Sequence, residues 1–398
     1  MMVHDKVSGF DLEQVLNQGP FESFSNCVVT FLHEVSASLF LDQAAKQFPD
    51  LISFAFFIRK SNLNKLRHDC IHDDRYQYVG IGLALHIAPA NVPLNFAYSL
   101  ISSLLSGNPS VVRISSRNFQ QANLLIDHFN MALNNRKLPP IFSIILYSHD
   151  SPLNSFLSKS ARCRLIWGGN ETIGFFKKFE VQPNVVDLTF PNKYSLALID
   201  ANFYLKEENF SKVADDFYND VYTFDQNGCT SPRAVVWIGD EREVANAKDI
   251  FWRSLKAVID VRKYSTSLSC GINHFVFTCR VAAGGGAQID PISQPGKFSV
   301  LTLKKIKPEF FRDHPGEGLF LELRIESLND LHDLIDDQCQ TLTVLGKLSR
   351  KITHWIKTEN ISGIDRISKF GDASSFSLYW DGKDLFQMQT RKLSNENY

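Results

Sequence analysis

Cysteine is sparse: seven in 398 residues, at positions 27, 70, 163, 229, 270, 279 and 339, with no CxxC pair. An odd count without paired spacing argues against a disulfide framework and a cysteine-rich zinc site, so no metal is expected and most of these thiols read as reduced packing residues. Neither sign of charge is in excess, with 42 Lys and Arg against 43 Asp and Glu spread evenly along the chain. That leaves no electrostatic footprint for nucleic acid or an anionic membrane. The opening MMVHDKVSGFDLEQ lacks a basic stretch followed by an apolar core, so nothing points to secretion and the cytoplasm is the expected location. The most apolar region, Val79 to Leu105, is broken by His86, Asn91, two prolines and several serines, and fails as a membrane span. GxSxG, HExxH and P-loop sequences are missing, which leaves serine hydrolase, zinc protease and P-loop NTPase readings without an anchor. His86, His274 and His314 stand isolated and read as structural, and DLHDLIDDQ reads as a solvated helix face.

What is present is an alternation. At 44% apolar, the chain is long enough for two packed domains. Residues 1–75 show helical patterning at Ser38 to Phe48 and Ile52 to Leu66. From Tyr76 the apolar runs VGIGLALHIAP, PSVVRIS, PPIFSIILYS and CRLIWGG read as strands, separated by helical spacing at Asn95 to Leu105, Asn118 to Asn134 and Ser151 to Ser160. VVDLTF and SLALID continue the strands, and residues 206–222 are patterned as a helix. A second alternation follows a boundary placed near residue 225: AVVWIG, a helix from Glu241 to Val258, NHFVFTCRV, KFSVLTL, LFLELRI, a helix from Leu328 to Cys339, LTVLG and a helix from Leu348 to Lys357. Such alternation predicts an α/β fold with mostly parallel sheets covered on both faces. AAGGGAQ, from Ala282 to Gln288, reads as a surface loop.

Four segments could carry chemistry. HIAPANVP, residues 86–93, follows a buried strand, where open α/β sheets place ligands; Asn91 there either aims an amide at a developing oxyanion or simply closes a turn. GNPSVVRISSRN ends a strand in Arg113, Ser115, Ser116 and Arg117, which suits a phosphate or ribose and equally suits a solvated strand end. WGGNETIGFF is a Gly168-Gly169 turn into a helix whose first N–H groups could face a pyrophosphate, although it is not GxGxxG. FDQNGCTSPRAVVW places Cys229 after a flexible Gly228 and ahead of a rigidifying Pro232, so a reachable nucleophile and an ordinary loop cysteine are both open.

Taken in order, APANVP, SGNPSVVR, IWGGNETIG, DLTFPNKYS and DQNGCTSP resemble the aldehyde dehydrogenase superfamily. With HIAPANVP followed by SLLSGNPSVVRISS, and with GIDRISKFG followed by WDGKDL, the chain is more closely similar to its acyl-CoA reductase branch, the LuxC-type fatty acyl reductases that make long-chain aldehyde for bacterial luciferase. The resemblance covers about residues 76–385. It implies an aldehyde-dehydrogenase-like fold: an N-terminal helical segment (1–75), a Rossmann-type NAD(P)-binding domain (76–225), an α/β catalytic domain (226–350) and a C-terminal segment (351–398) returning to the cofactor domain or to an oligomer interface. It implies that Cys229 takes the acyl group and that Asn91, with the backbone N–H of Cys229, forms the oxyanion hole. Cofactor contacts would come from Ala88, Pro89, Arg113, Ser115, Ser116, Gly168, Gly169 and Asn170, with Glu317 nearest the nicotinamide ribose. Ser116 falls where NAD-preferring members often carry Glu, which favours NADPH.

Where hydrolytic relatives carry Glu before Leu-Gly-Gly-Lys, this chain has Thr189-Phe190-Pro191-Asn192-Lys193. Losing that water-activating Glu suits an acyl thioester kept for reduction, and Asp187, on the same strand face as Thr189, is the candidate substitute base. The implied reaction is NADPH-dependent reduction of an acyl thioester to aldehyde, with CoA or another thiol leaving. The acyl donor would be acyl-CoA or an acylated partner protein of acyl-protein synthetase or thioesterase type, and a homo-oligomer is expected. Oxidation of an aldehyde by NAD(P), or a non-catalytic acyl- or cofactor-binding subunit, are the alternatives.

Overall fold

The computed structural model describes residues 4–73, 75–134, 138–266, 269–285, 287–290, 293–294 and 297–394. The chain divides into two units, one made of Met1–Asn192 with Phe376–Tyr398 and the other of Lys193–Ser375.

The first unit is built on a six-stranded sheet in the order Asp5–Gly9, Phe142–Leu146, Ser110–Arg113, Ala84–Ile87, Cys163–Trp167, Val186–Phe190. All neighbours are parallel except the antiparallel edge strand Asp5–Gly9. Every residue of Ala84–Ile87 and of Cys163–Trp167 is buried. Runs apolar on both sides need cover on both faces. Val28, Phe31, Leu100 and Phe129 from three helices cover one, and Val15, Leu157, Ile173 and Phe176 pack on the other. The chain steps outward from Ala84–Ile87 to Ser110–Arg113 and Phe142–Leu146, then crosses back to Cys163–Trp167. That reversal makes a doubly wound sheet whose crevice lies where strands Ala84–Ile87 and Cys163–Trp167 end.

The N-terminal segment is not wholly helical, because Asp5–Gly9 pairs with Phe142–Leu146. At the other end, Thr390–Ser394 pairs antiparallel with Tyr76–Gly80. Just before it, buried Gln389 donates to the Leu385 carbonyl and accepts at its own carbonyl from Asn108 Nδ2, both at 2.9 Å, anchoring the tail.

The second unit holds a seven-stranded sheet in the order Gln288–Ile289, Ser299–Thr302, Leu319–Ile325, Pro232–Ile238, Tyr194–Asp200, Cys339–Leu345, Arg366–Lys369. The division lies at Asn192/Lys193, upstream of the boundary expected near residue 225. Tyr194–Asp200 pairs with Pro232–Ile238 and Cys339–Leu345, and the helix Phe210–Tyr222 buries Phe217 and Val221 against Val235 and Trp237. Residues 351–375 likewise stay with this unit.

Three local expectations change. NHFVFTCRV, continuous and apolar enough for a strand, lies inside the helix Cys270–Gly285, with His274, Phe277 and Val281 buried and Ile272, Phe275 and Val276 exposed. Burial at spacings of three and four is the helical period. That helix also takes in Ala282 to Gly285 from the expected loop. Leu328–Leu334 is a short 3-10 segment, and Cys339 starts a strand rather than ending a helix.

Candidate active site

In the first unit the carboxyl ends of the parallel strands carry the sequence-predicted cofactor residues. The Ala88 N–H donates to the Arg113 carbonyl at 3.0 Å, so Ala88 extends the sheet; Pro89 follows it half-buried. Asn91 stands exposed on this turn, and the neighbouring Ala90 carbonyl accepts from Arg117 at 3.3 Å.

Arg113 lies over the ring of Tyr147 at 5.1 Å. Its Nε and the Tyr147 hydroxyl are both buried without a hydrogen-bond partner. Burial pushes the Tyr147 phenol above its ordinary range, so the hydroxyl stays protonated. Arg113 and Ser116 line a cavity of about 810 Å³ with Tyr147, Ser148 and His149. Ser115 instead accepts the Arg117 N–H at 3.1 Å and shapes the turn. Two orphaned polar atoms, a guanidinium and hydroxyls at a strand end fit the polar ribose and phosphate groups of a nicotinamide dinucleotide. The carboxylates lining the cavity, Asp5 and Asp150, come from other segments than Ser116.

Gly168 has φ +154°, and a Cβ there would press on Thr172 at 3.1 Å. Gly169 caps the helix Asn170–Lys177, so the first-turn N–H groups open at the sheet crevice. Beneath the crevice, Ser99 Oγ lies 2.7 Å from His86 Nδ1 and accepts from Trp167 Nε1 at 2.9 Å, while Trp167 stacks on Phe190 at 3.8 Å. Burial holds His86 down to about 3, which keeps it neutral.

Asp187 does not behave as the expected base. Its two oxygens accept from Arg164 Nε at 2.7 Å and Nη2 at 2.5 Å, and Arg164 is 1% exposed. Arg164 also donates to the Phe176 carbonyl. The pair therefore compensates a buried guanidinium in the body of the sheet, three residues before the strand ends at Phe190, and not at its ligand-facing end.

In the second unit Cys229 sits on a loop held from several sides. Its carbonyl accepts from Ser195 Oγ at 2.6 Å, and that same hydroxyl accepts the Thr341 N–H at 3.1 Å. Buried Gln226 donates to the Pro232 and Leu319 carbonyls and accepts the Gly318 N–H, tying the segment before Cys229 to the turn 314–318. Asp225, Gln226 and Glu317 all adopt positive φ without being glycine, at +50°, +59° and +53°. Such strain persists only where surroundings enforce it, and it gathers at functional sites. Gly316 packs against the Asp225 carbonyl, and the Glu317 N–H donates to that carbonyl at 2.9 Å, so Glu317 lies beside the Cys229 loop.

Among the cysteines, Cys27 and Cys279 are exposed, Cys229 is half-buried and the other four are buried. Burial pushes the Cys70 thiol up to about 12 and those of Cys163, Cys270 and Cys339 upward. Cys270 lies 3.5 Å from His274 Nε2, a pair the linear sequence hides at a spacing of four, but burial keeps His274 below its ordinary value too, so both stay neutral. Among the described residues no cluster could hold a metal, and no helix is long and apolar enough to cross a membrane.

Residues 61–260, half of the chain, match the profile of the family Acyl-CoA reductase (LuxC). The chain belongs to this family. It is 27% identical over 196 residues to the long-chain acyl-protein thioester reductase of Aliivibrio fischeri, covering 49% of this chain and 38% of that protein. With the Vibrio harveyi protein of the same description it shares 27% over 165 residues, 41% of this chain and 33% of that one. The matched part is thus well under half of these relatives' length. Its fold is that of the aldehyde dehydrogenases: 1-pyrroline-5-carboxylate dehydrogenase from Thermus thermophilus superposes with TM-score 0.64 at 11% identity, covering 92% of this chain and 80% of that one. Aldehyde dehydrogenase 21 from Physcomitrella patens gives 0.63 at 12%, covering 92% and 85%.

For this LuxC-family chain the structure adds Tyr147 and Ser195 to the residues singled out by sequence. Ser195 ends DLTFPNKYS, a segment that carries the resemblance, but only strand pairing brings its hydroxyl to the Cys229 loop.

Proposed function

We propose that the chain reduces an acyl thioester to an aldehyde through a covalent acyl group on Cys229, with NADPH as reductant and acyl-CoA or an acylated protein as donor. The observation that carries this reading is the pairing of a half-buried cysteine, on a loop fixed by Ser195 and Gln226, with Thr189 where hydrolytic relatives carry the water-activating Glu. Asp187, the candidate substitute, is committed to Arg164.

In this reading the Cys229 sulfur attacks the thioester carbonyl, forming a new S–C bond as the donor thiol departs. Asn91, exposed on its rigid turn, is assigned as the amide donor to the oxyanion, a role that is worth about 3–4 kcal/mol in other enzymes. Arg113 and Ser116 are assigned to the adenosine phosphate, with Gly168, Gly169 and Asn170 beside the pyrophosphate. NADPH held by these residues would supply the hydride that reduces the acyl group. The chain's part is to hold the thioester and keep water away, because an acyl group hydrolysed on Cys229 would leave as acid. Ser116 in place of an acid, with Arg117 next to it, favours a 2′-phosphate. Aldehyde oxidation is the weaker reading, because the carboxylate it would call upon is engaged.

The test is a panel of acyl-CoAs with NADPH, following absorbance loss at 340 nm and trapping aldehyde, with Cys229→Ala alongside. The expected result is aldehyde from the unmodified chain and none from the variant. Normal aldehyde from Cys229→Ala removes the cysteine from the mechanism, and free acid as sole product moves the reading to oxidation.

A further inference from the structure

We propose that Ser99 is a positioning residue for the nucleotide turn: its hydroxyl fixes Trp167, and Trp167 sets Gly168 and Gly169 where the dinucleotide binds. The proposal rests on that turn being the nucleotide site.

Ser99 is fully buried in the helix Asn95–Leu105 and bonds to side chains from two neighbouring strands. Trp167 ends one strand, and His86 is the last residue but one of the other. An indole N–H only donates, so the Ser99 oxygen accepts from Trp167 Nε1 at 2.9 Å and gives its own proton to His86 Nδ1 at 2.7 Å. Burial keeps that imidazole neutral, so the bond keeps one direction. His86 then carries its proton on Nε2, which is buried without a partner. A polar network left half-satisfied is less stabilising than an apolar filling of the same shape. The worth of this trio is therefore in geometry and not in stability.

From Trp167 the constraint passes upward by contact. The indole stacks on Phe190 with ring centres 3.8 Å apart and planes 12° from parallel. The Gly168 N–H donates to the Phe190 carbonyl at 3.2 Å, which ties the turn to the adjacent strand end. Gly168 turns against Thr172, in the first turn of the helix Asn170–Lys177. On the other side, a Cβ on Gly169 would stand 3.3 Å from Asn192 Nδ2, so the exposed Asn192 amide borders the same turn. The indole at the root of this arrangement has one proton to give, and Ser99 takes it.

A phosphate reaches the N–H groups of a helix's first turn only where the preceding glycines stand clear of them. Releasing Trp167 from Ser99 therefore weakens nucleotide binding. Acylation of Cys229 needs no nucleotide and takes place on a loop of the other unit, so it is untouched.

The experiment is calorimetric titration of the full chain with NADP+ and with NAD+, beside urea denaturation and single-turnover acylation by labelled acyl-CoA without nucleotide. Ser99→Ala is expected to weaken whichever nucleotide the unmodified chain binds by about tenfold, the measure of one lost hydrogen bond, with acylation per folded molecule unchanged. Trp167→Phe keeps a stacked ring and removes the donor, and reads the same bond even if Ser99→Ala does not fold. It should weaken binding as much, and the double variant no more than either change alone, because both break one bond. Either single variant binding nucleotide as the unmodified chain does, whatever its urea midpoint, overturns the proposal. So do additive losses in the double variant, or acylation falling in step with binding. An unmodified chain that binds neither nucleotide sinks this proposal and the cofactor reading together. One that binds nucleotide, responds to Ser99→Ala and makes no aldehyde upholds the positioning role and sinks the reductase reading alone.

Discussion

Ser195 Oγ donates to the carbonyl of Cys229 at 2.6 Å and accepts the backbone N–H of Thr341 at 3.1 Å, so one hydroxyl joins the cysteine loop to two strands. Ser195→Ala leaves a buried amide and a carbonyl unpaired, at a cost of about 1–3 kcal/mol. We expect lower resistance to urea and an acylation rate, measured by single turnover with labelled acyl-CoA, reduced about tenfold. Ser195→Thr, which keeps the hydroxyl, should recover the rate. An unchanged rate in Ser195→Ala would show that the loop holds its geometry without this bridge.

The cofactor cavity offers a specificity test. Ser116 is exposed on its lining, close in sequence to Arg113. Ser116→Glu puts a carboxylate where a 2′-phosphate is proposed to sit, and like charges repel there. The KM for NADPH should rise at least about tenfold while that for NADH holds or falls, since one charged contact carries about 1.5–3 kcal/mol. Steady-state kinetics with both nucleotides checks it; equal changes for the two would remove Ser116 from the phosphate site.

Asp220 gives a pH signature in stability. Its carboxyl is 1% exposed, accepts the Gly371 and Ala373 N–H groups at 2.8 Å, and is pushed up by burial to about 7. A carboxyl raised in the folded chain binds its proton more tightly there than in the unfolded chain. Its contribution is therefore fully present below about 4 and is lost as pH rises through about 7. Relative to Asp220→Asn, the unmodified chain should be more stable at pH 5 than at pH 8, by on the order of 3 kcal/mol. Urea denaturation of both at the two pH values measures it, and a difference of opposite sign refutes the assignment.

The alternation of buried runs and helical spacing was enough to read the first sheet, because a strand covered on both faces is buried at every position, as Ala84–Ile87 is, and therefore runs mostly apolar. The same rule misread NHFVFTCRV, where exposed Phe275 and Val276 make a helix look like a buried strand. Cys229 was legible only through the order of segments around it; its own loop decides nothing. Its setting was less legible still, because Ser195 reaches its carbonyl and Thr341 reaches Ser195 from strands far apart in sequence, and no local pattern encodes register between distant strands. Arg164 was a missed signal of another kind: a guanidinium inside the buried run CRLIW requires a counter-charge, and Asp187 supplies it.

That counter-charge separates two readings of Asp187. As a general base it would touch the reaction, and Asp187→Asn would lower turnover with little change in folding. As the partner of a buried guanidinium, its removal leaves Arg164 without its charged acceptor, and because Asp187 itself reaches solvent the cost is about 1.5–3 kcal/mol, that of hydrogen bonds to a charged group. The geometry favours the second outcome: Asp187→Asn should unfold at distinctly lower urea, while aldehyde formed per folded molecule stays at the unmodified level. Replacing both residues with apolar ones of similar volume, Arg164→Met with Asp187→Leu, should return much of the lost stability, since no buried charge then remains unpaired. A fall in turnover of the folded fraction, with acid production falling alongside, would return Asp187 to the chemistry and favour aldehyde oxidation over thioester reduction.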